Sequence, residues 1–84
     1  MNNVPKDNLI RLMKLQNGNY VWCSKNNYSE EMSKGNALAF GVWWLRLSKK
    51  NIETGFELMA DKHNFCAFSE KGDFLYVDTI PKEI

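Results

Sequence analysis

The residues best equipped for nucleophilic chemistry are His63 and Cys66. His63 is the only histidine, and a cysteine beside a histidine base is a known catalytic arrangement. On an extended strand, however, a separation of three places the two side chains on opposite faces. The apolar neighbours of Cys66 would also raise the pKa of its thiol. We therefore expect Cys66 to be a buried structural residue and His63 to be a solvated turn residue.

Other kinds of site lack the residues that they need. Cys23, His63 and Cys66 show no Cys-x-x-Cys or His-x-x-x-His pairing, and a structural zinc site needs four ligands. The carboxylates of the last third are dispersed, unlike a glycosidase pair, and the glycines form no phosphate-binding motif. The sequence predicts a protein that is not an enzyme and that holds no metal or cofactor.

Length and composition predict a single folded domain over residues 1–84. Apolar residues make up 44% and charged residues 25% of the chain, as in an ordinary globular protein. The chain does not open with a basic stretch followed by an apolar one, and its longest uncharged apolar run, residues 37–45, is far shorter than the roughly twenty residues of a membrane helix. We expect a cytoplasmic protein with no membrane partner.

The charges are segregated along the chain. Residues 1–52 carry eight lysines and arginines against three acids, and residues 53–84 carry three lysines against seven acids. A folded surface with a basic and an acidic pole would be steered towards a charged partner. Alternatively, folding interleaves the two halves and no dipole remains.

The first third contains a hairpin signal. Asn17-Gly18 lies between two apolar stretches within residues 8–25, which favours a two-residue type I′ turn because both turn residues need positive φ. Apolar spacing over residues 6–16 also fits a helix that ends near Gly18. In the hairpin, the predicted cross-strand pairs are Leu15 with Tyr20 and Met13 with Trp22.

The middle of the chain is predicted to form a short helix followed by a strand. A polar stretch offers Asn27 or Ser29 as the cap of a helix that carries Glu30 and Glu31 in its first turn and ends at Gly35. Residues 38–47 are rich in aromatic and apolar side chains, and Gly41 within them would cost a helix about 1 kcal/mol relative to alanine. This stretch is therefore predicted to be a strand.

The last third is predicted to be a three-stranded meander. Residues 55–61 alternate apolar and polar side chains, and strands at 64–69 and 73–80 follow, joined by a turn in which Gly72 is left-handed. The predicted fold is mainly β, with α+β as an alternative. It is a five- to six-stranded twisted antiparallel sheet, either a small open barrel or covered by one or two short helices.

The neighbouring residues Trp43 and Trp44 indicate a binding surface. On a strand they point to opposite faces, so that Phe40, Val42, Trp44 and Arg46 share one face, and the first three form an exposed apolar stripe. Tryptophan and arginine often carry binding energy. Alternatively, a helix or the amino-terminal segment covers this face and both indoles are core, or the stripe forms a homodimer.

These features together predict a non-enzymatic protein-binding module. We interpret it as a small inhibitor or anti-defence protein, of the type encoded by phages and mobile elements, which occludes a site on a larger protein. Phe40, Trp44 and Arg46 would anchor on the partner, while acidic residues engage a basic groove or steer the approach. The acidic residues concerned are Glu53, Glu57, Asp61, Glu70 and Asp73.

A single-stranded nucleic-acid-binding β domain is the alternative interpretation. Trp22 would stack on a base, and Lys25, Lys49 and Lys50 would meet phosphates. A net charge of +1 with only two arginines counts against it, because a dedicated nucleic-acid binder is usually clearly basic.

Overall fold

The fold is an open five-stranded antiparallel sheet with two helices on one face. A computed structural model describes residues 9–25, 27–60 and 63–79. The elements in chain order are β1 (Ile10–Lys14), β2 (Tyr20–Ser24), β3 (Asn27–Tyr28), α1 (Lys34–Trp43), α2 (Lys49–Met59), β4 (Phe65–Phe68) and β5 (Phe74–Asp78). The strand order is β3-β2-β1-β4-β5, with β3 and β5 at the two edges. The predicted twisted antiparallel sheet with short helices is confirmed, and the sheet does not close into a barrel.

The first hairpin is present, but its turn has three residues instead of two. The Leu15 N–H donates to Asn19 O (2.8 Å), and the Gly18 N–H donates to Leu15 O (3.0 Å). Gly18 has a φ of 92°, whereas Asn17 lacks the positive φ of a type I′ turn. The longer turn moves the register by one residue, so the predicted pairs Leu15–Tyr20 and Met13–Trp22 are wrong. The observed pairs include Leu12 with Trp22, Met13 with Val21 and Lys14 with Tyr20.

The second predicted hairpin, β4–β5, is confirmed. The Ser69 N–H donates to Asp73 O and the Gly72 N–H donates to Ser69 O, both at 2.9 Å. Gly72 has a φ of 99°, which is the left-handed position that favours glycine. The two hairpins of the sheet therefore close with the same kind of three-residue loop.

Helix α1 lies in the region that was predicted to be a strand, so the strand at 38–47 is wrong. The Ser33 hydroxyl caps the helix by accepting a hydrogen bond from the Asn36 N–H (3.3 Å). Gly35, predicted to end an earlier helix, lies inside the first turn of α1. Residues 27 and 28, where that earlier helix was predicted to begin, instead form the edge strand β3.

Helix α2 replaces the strand that was predicted at 55–61. The Ser48 hydroxyl caps it by accepting from the Asn51 N–H (3.3 Å). Its buried residues follow the spacing i, i+3, i+4, i+7 of one helix face: Ile52, Gly55, Phe56 and Met59. Leu58 and Ala60, which a strand would have placed beside Phe56, are exposed. The Lys14 ammonium donates to Met59 O (2.6 Å) and so satisfies a carbonyl at the end of the helix.

Two glycines allow the helices to approach the sheet closely. A Cβ atom on Gly41 of α1 would lie 2.5 Å from Ile52 Cδ1 and 2.7 Å from the Trp22 ring, and one on Gly55 of α2 would lie 2.8 Å from Cys66 Sγ. The core therefore forms where both helices press on β1, β2 and β4. Its largest fully buried side chains are Phe68, Leu12, Ile52, Met59 and Cys66.

Candidate protein-binding surface

Three aromatic side chains at the end of α1 form an exposed cluster. Trp43 and Trp44 are each 76% exposed. Phe40 is half-buried and stacks on Trp44, with ring centroids 6.2 Å apart and an interplanar angle of 25°. Positions i, i+3 and i+4 lie on one side of a helix. We call Phe40, Trp43 and Trp44 the aromatic cluster.

The packing of α1 explains why both indoles face water. The buried residues of α1 are Ala37 and Gly41, and both are small, so the helix packs closely on the core. Trp43 is the last residue of α1 and Trp44 is its C-cap, so both indoles lie past these core contacts, at the end of the helix, while Phe40 also packs partly on the core. Burying an indole is worth a few kcal/mol, so the chain gains little stability from two tryptophans that are three-quarters exposed. Together they present an apolar patch of a few hundred Å², a size that is typical of interaction sites.

A groove of about 520 Å³ runs beside the aromatic cluster. The aromatic cluster supplies one part of its lining, and the acidic residues Glu30 and Glu31 supply another. Met32, Asn36 and Ala39 complete it. The groove is therefore both aromatic and acidic.

The acidic part of the groove is held in place by β2 and the first hairpin turn. Met32 exchanges two backbone hydrogen bonds with Tyr20, at 2.8 and 2.9 Å. Glu31 Oε1 accepts from the side-chain amides of Asn17 and Asn19, each at 3.0 Å. The amide of Asn19, and then that of Asn17, stabilises the charged carboxylate and lowers the pKa of Glu31. Glu31 is thus an ordered anion at the groove.

A second, smaller groove continues the apolar surface towards the sheet edge. It holds about 200 Å³ and lies between β3 and α1, where Tyr28, Phe40 and Leu45 contribute to its lining. Tyr28 is 67% exposed. Phe40 borders both grooves, so the exposed apolar surface extends from Trp43 to Tyr28.

The structure brings two of the three predicted anchors into direct contact. Phe40 and Trp44 stack as described, although on a helix and not on a strand. Arg46 follows the helix, is exposed, and has a φ of 61° that reverses the chain. The Leu47 N–H then donates to Gly41 O (2.9 Å) and closes this end of α1.

The predicted acidic residues lie apart from the aromatic cluster. Glu53 and Glu57 are exposed on α2 and line a different groove, between the two helices. Glu70 and Asp73 are exposed at the β4–β5 turn, which is joined to the start of α2 by a hydrogen bond between Asn51 Nδ2 and Gly72 O (2.9 Å). Asp61 lies outside the described residues.

The boundary between the basic and the acidic half of the chain lies within α2. Helix α2 carries Lys49 and Lys50 in its first turn and the exposed Glu53 and Glu57 beyond them. Lys71 lies in the β4–β5 turn among acidic residues. Basic and acidic side chains therefore lie close together both on α2 and at the β4–β5 turn.

The residues of the nucleic-acid interpretation do not form one surface around an exposed ring. Trp22 is 2% exposed, and its indole N–H donates to Ala37 O (2.9 Å), so it cannot stack on a base. Lys49 and Lys50 begin α2, and Lys25 lies in the turn between β2 and β3. The exposed indoles are Trp43 and Trp44, and they adjoin carboxylates instead of lysines.

The structure places Cys66 in the core and leaves His63 half-buried just before β4. Cys66 is fully buried, and desolvation raises the pKa of its thiol to about 12, which confirms the prediction of a buried structural residue. His63 is half-buried, so its prediction as a solvated residue is wrong. In residues 9–25, 27–60 and 63–79, no three His, Cys, Asp or Glu side chains are grouped to hold a metal ion.

Sequence reasoning missed Trp43, Tyr28, Glu30 and Glu31. The strand prediction placed Trp43 on the face opposite Trp44, and the two glutamates were assigned to the first turn of a helix that does not form. The available signal was Ser33, which could cap a helix in which positions 40, 43 and 44 share one side.

Comparisons with known proteins identify no relative of this chain. The chain matches no family model, no curated protein and no solved structure. Over the part of the chain that the structure describes, neither helix is long and apolar enough to cross a bilayer.

Proposed function

We propose that this protein is a non-enzymatic binding module that docks on a larger protein through the aromatic cluster. The observation that carries the proposal is the 76% exposure of both Trp43 and Trp44. Exposed tryptophans at the centre of a patch are the residues that most often dominate binding energy. The scaffold beneath them is fixed, because Gly41 and Ala37 pack α1 directly on the core.

The mechanism would be occlusion of a site on the partner. A domain of this size can cover a groove or an active-site entrance with one helix face and its neighbouring turns. The small inhibitors and anti-defence proteins of phages and mobile elements act in this way, and we place this chain with them as a proposal. Trp44 and Phe40 are the proposed anchors, and we propose Trp43, which lines the same groove, as a third.

Affinity capture from the native cell tests the proposal. We expect the wild-type chain to retain one larger protein, and the variant Trp43→Ala/Trp44→Ala to lose at least about 2 kcal/mol of binding free energy, a loss of thirtyfold or more. Because both side chains are exposed, the melting temperature should change by less than about 4 °C.

Leu75→Ala provides a matched control. Leu75 is also an exposed apolar residue, but it lies on the opposite edge strand β5. This variant should retain the same protein as the wild type. Equal retention by the wild type and the double tryptophan variant would contradict the proposal, and retention of only a second copy of this chain would show a homodimer instead.

A further inference from the structure

We propose that the groove beside the aromatic cluster receives an arginine side chain from an exposed segment of the partner protein. The inference rests on the proposed function, because it specifies the chemistry of the partner at the same surface. It is carried by the juxtaposition, in one groove, of exposed indole rings and two carboxylates.

The aromatic part of the groove suits a planar cation. Indole faces attract cations more strongly than other aromatic rings do, and arginine stacks on them more often than lysine does. Trp43 and Trp44 are both exposed enough to offer a ring face. A cation–π contact already forms in the other groove, where the Lys34 ammonium lies 5.2 Å from the centre of the Phe56 ring.

The acidic part of the groove supplies the counter-charge. Among the residues that the structure describes, no lysine or arginine forms an ion pair with Glu30 or Glu31. The carboxylate of Glu31 is oriented by two neutral amides, from Asn17 and Asn19, neither of which brings a positive charge to it. An ordered carboxylate loses little conformational entropy when it binds a guanidinium.

Charge complementarity disfavours other occupants of the groove. A purely apolar side chain would desolvate Glu30 and Glu31 without pairing them, which is costly. A phosphate group would be repelled by the same carboxylates. A flat, weakly hydrated cation can stack on the indole rings and pair with the carboxylates at the same time. Arginine is the side chain with these properties.

Peptide titrations followed by NMR test this inference. The probe is a capped Gly/Ser-rich peptide with three arginines, and its control is the same peptide with citrulline, a neutral isostere of arginine. We expect the arginine peptide to shift the indole N–H signals of Trp43 and Trp44 saturably, with an affinity at least about fivefold higher than that of the citrulline peptide. The Trp22 indole signal should not shift, because its N–H is buried against Ala37 O.

Two charge-removing variants locate the effect. Glu30→Gln/Glu31→Gln should reduce the preference for arginine over citrulline, leaving only the part that the indole rings supply, whereas Glu53→Gln/Glu57→Gln, which removes two carboxylates from the other groove, should keep the full preference. Equal binding of the two peptides to the wild type would overturn the arginine inference while leaving docking by the aromatic cluster intact. No shift with either peptide would also overturn it, and the capture experiment with the tryptophan variants would still decide the proposed function.

Discussion

Replacing Trp22 with alanine is expected to lower the free energy of unfolding by about 3–5 kcal/mol, a large share of the stability of a small domain. Trp22 is 2% exposed and packs on Phe68, with ring centroids 5.9 Å apart. Its removal leaves a cavity beneath α1 and deprives Ala37 O of the indole N–H that satisfies it. Urea unfolding followed by circular dichroism measures the loss.

Trp44→Ala is the matched control for this substitution. It deletes the same side chain, but from a position that is 76% exposed, so the change should stay within about 0.5 kcal/mol. A loss at Trp44 comparable with that at Trp22 would mean that the second indole also stabilises the fold. The aromatic cluster would then be part of the core and not a contact surface.

Gly41→Ala is expected to destabilise the protein by about 1–3 kcal/mol, although alanine is the better helix former. The added methyl group would lie 2.5 Å from Ile52 Cδ1 and 2.7 Å from the Trp22 ring, and both neighbours are buried. The ring cannot move without disturbing its contacts with the core. The helix would therefore have to move away from the sheet.

Gly35→Ala is the control that separates the effect of this steric clash from the effect of helix propensity. Gly35 lies in the same helix with no atom within 4 Å of an added Cβ. Its replacement should raise stability by about 0.5 kcal/mol, the normal gain from glycine to alanine near a helix end. Thermal unfolding of the two variants should thus give shifts of opposite sign. Two shifts of the same sign would contradict the close packing of α1 on Trp22.

The architecture of the sheet could be predicted in outline from turn residues. Gly18 and Gly72 each mark a hairpin, and both hairpins form. The exact register could not be predicted, because Asn17-Gly18 is compatible with loops of two or three residues. A difference of one residue decides which face of a strand is buried, and here it pairs Leu12 with Trp22.

Helix α1 could not be recognised from its pattern of apolar residues. An amphipathic helix shows a period of 3.6 because its outer face is polar. In α1 apolar residues occur all around the helix, from the buried Ala37 through the half-buried Phe40 to the exposed Trp43, so the period disappears. The feature that obscured the helix is thus the same feature that supports the proposed function.

Helix α2 was mistaken for a strand for a different reason. The alternation of Phe56, Leu58 and Ala60 with polar residues imitates a strand, and only the longer span from Ile52 to Met59 shows the helical spacing.

The acidic part of the candidate site could not be predicted from the sequence either. Glu31 is placed there by amides from the first hairpin turn, a contact between distant parts of the chain.

The claim that two adjacent tryptophans form an exposed contact surface is tested most directly by acrylamide quenching of their fluorescence. Three single-tryptophan proteins, each with the other two tryptophans replaced by phenylalanine and each with the circular dichroism of the folded wild type, are compared at low protein concentration. We expect Trp43 and Trp44 to be quenched nearly as efficiently as free tryptophan in water, and Trp22 to be strongly protected. Protection of Trp43 and Trp44 to the level of Trp22 would contradict the account.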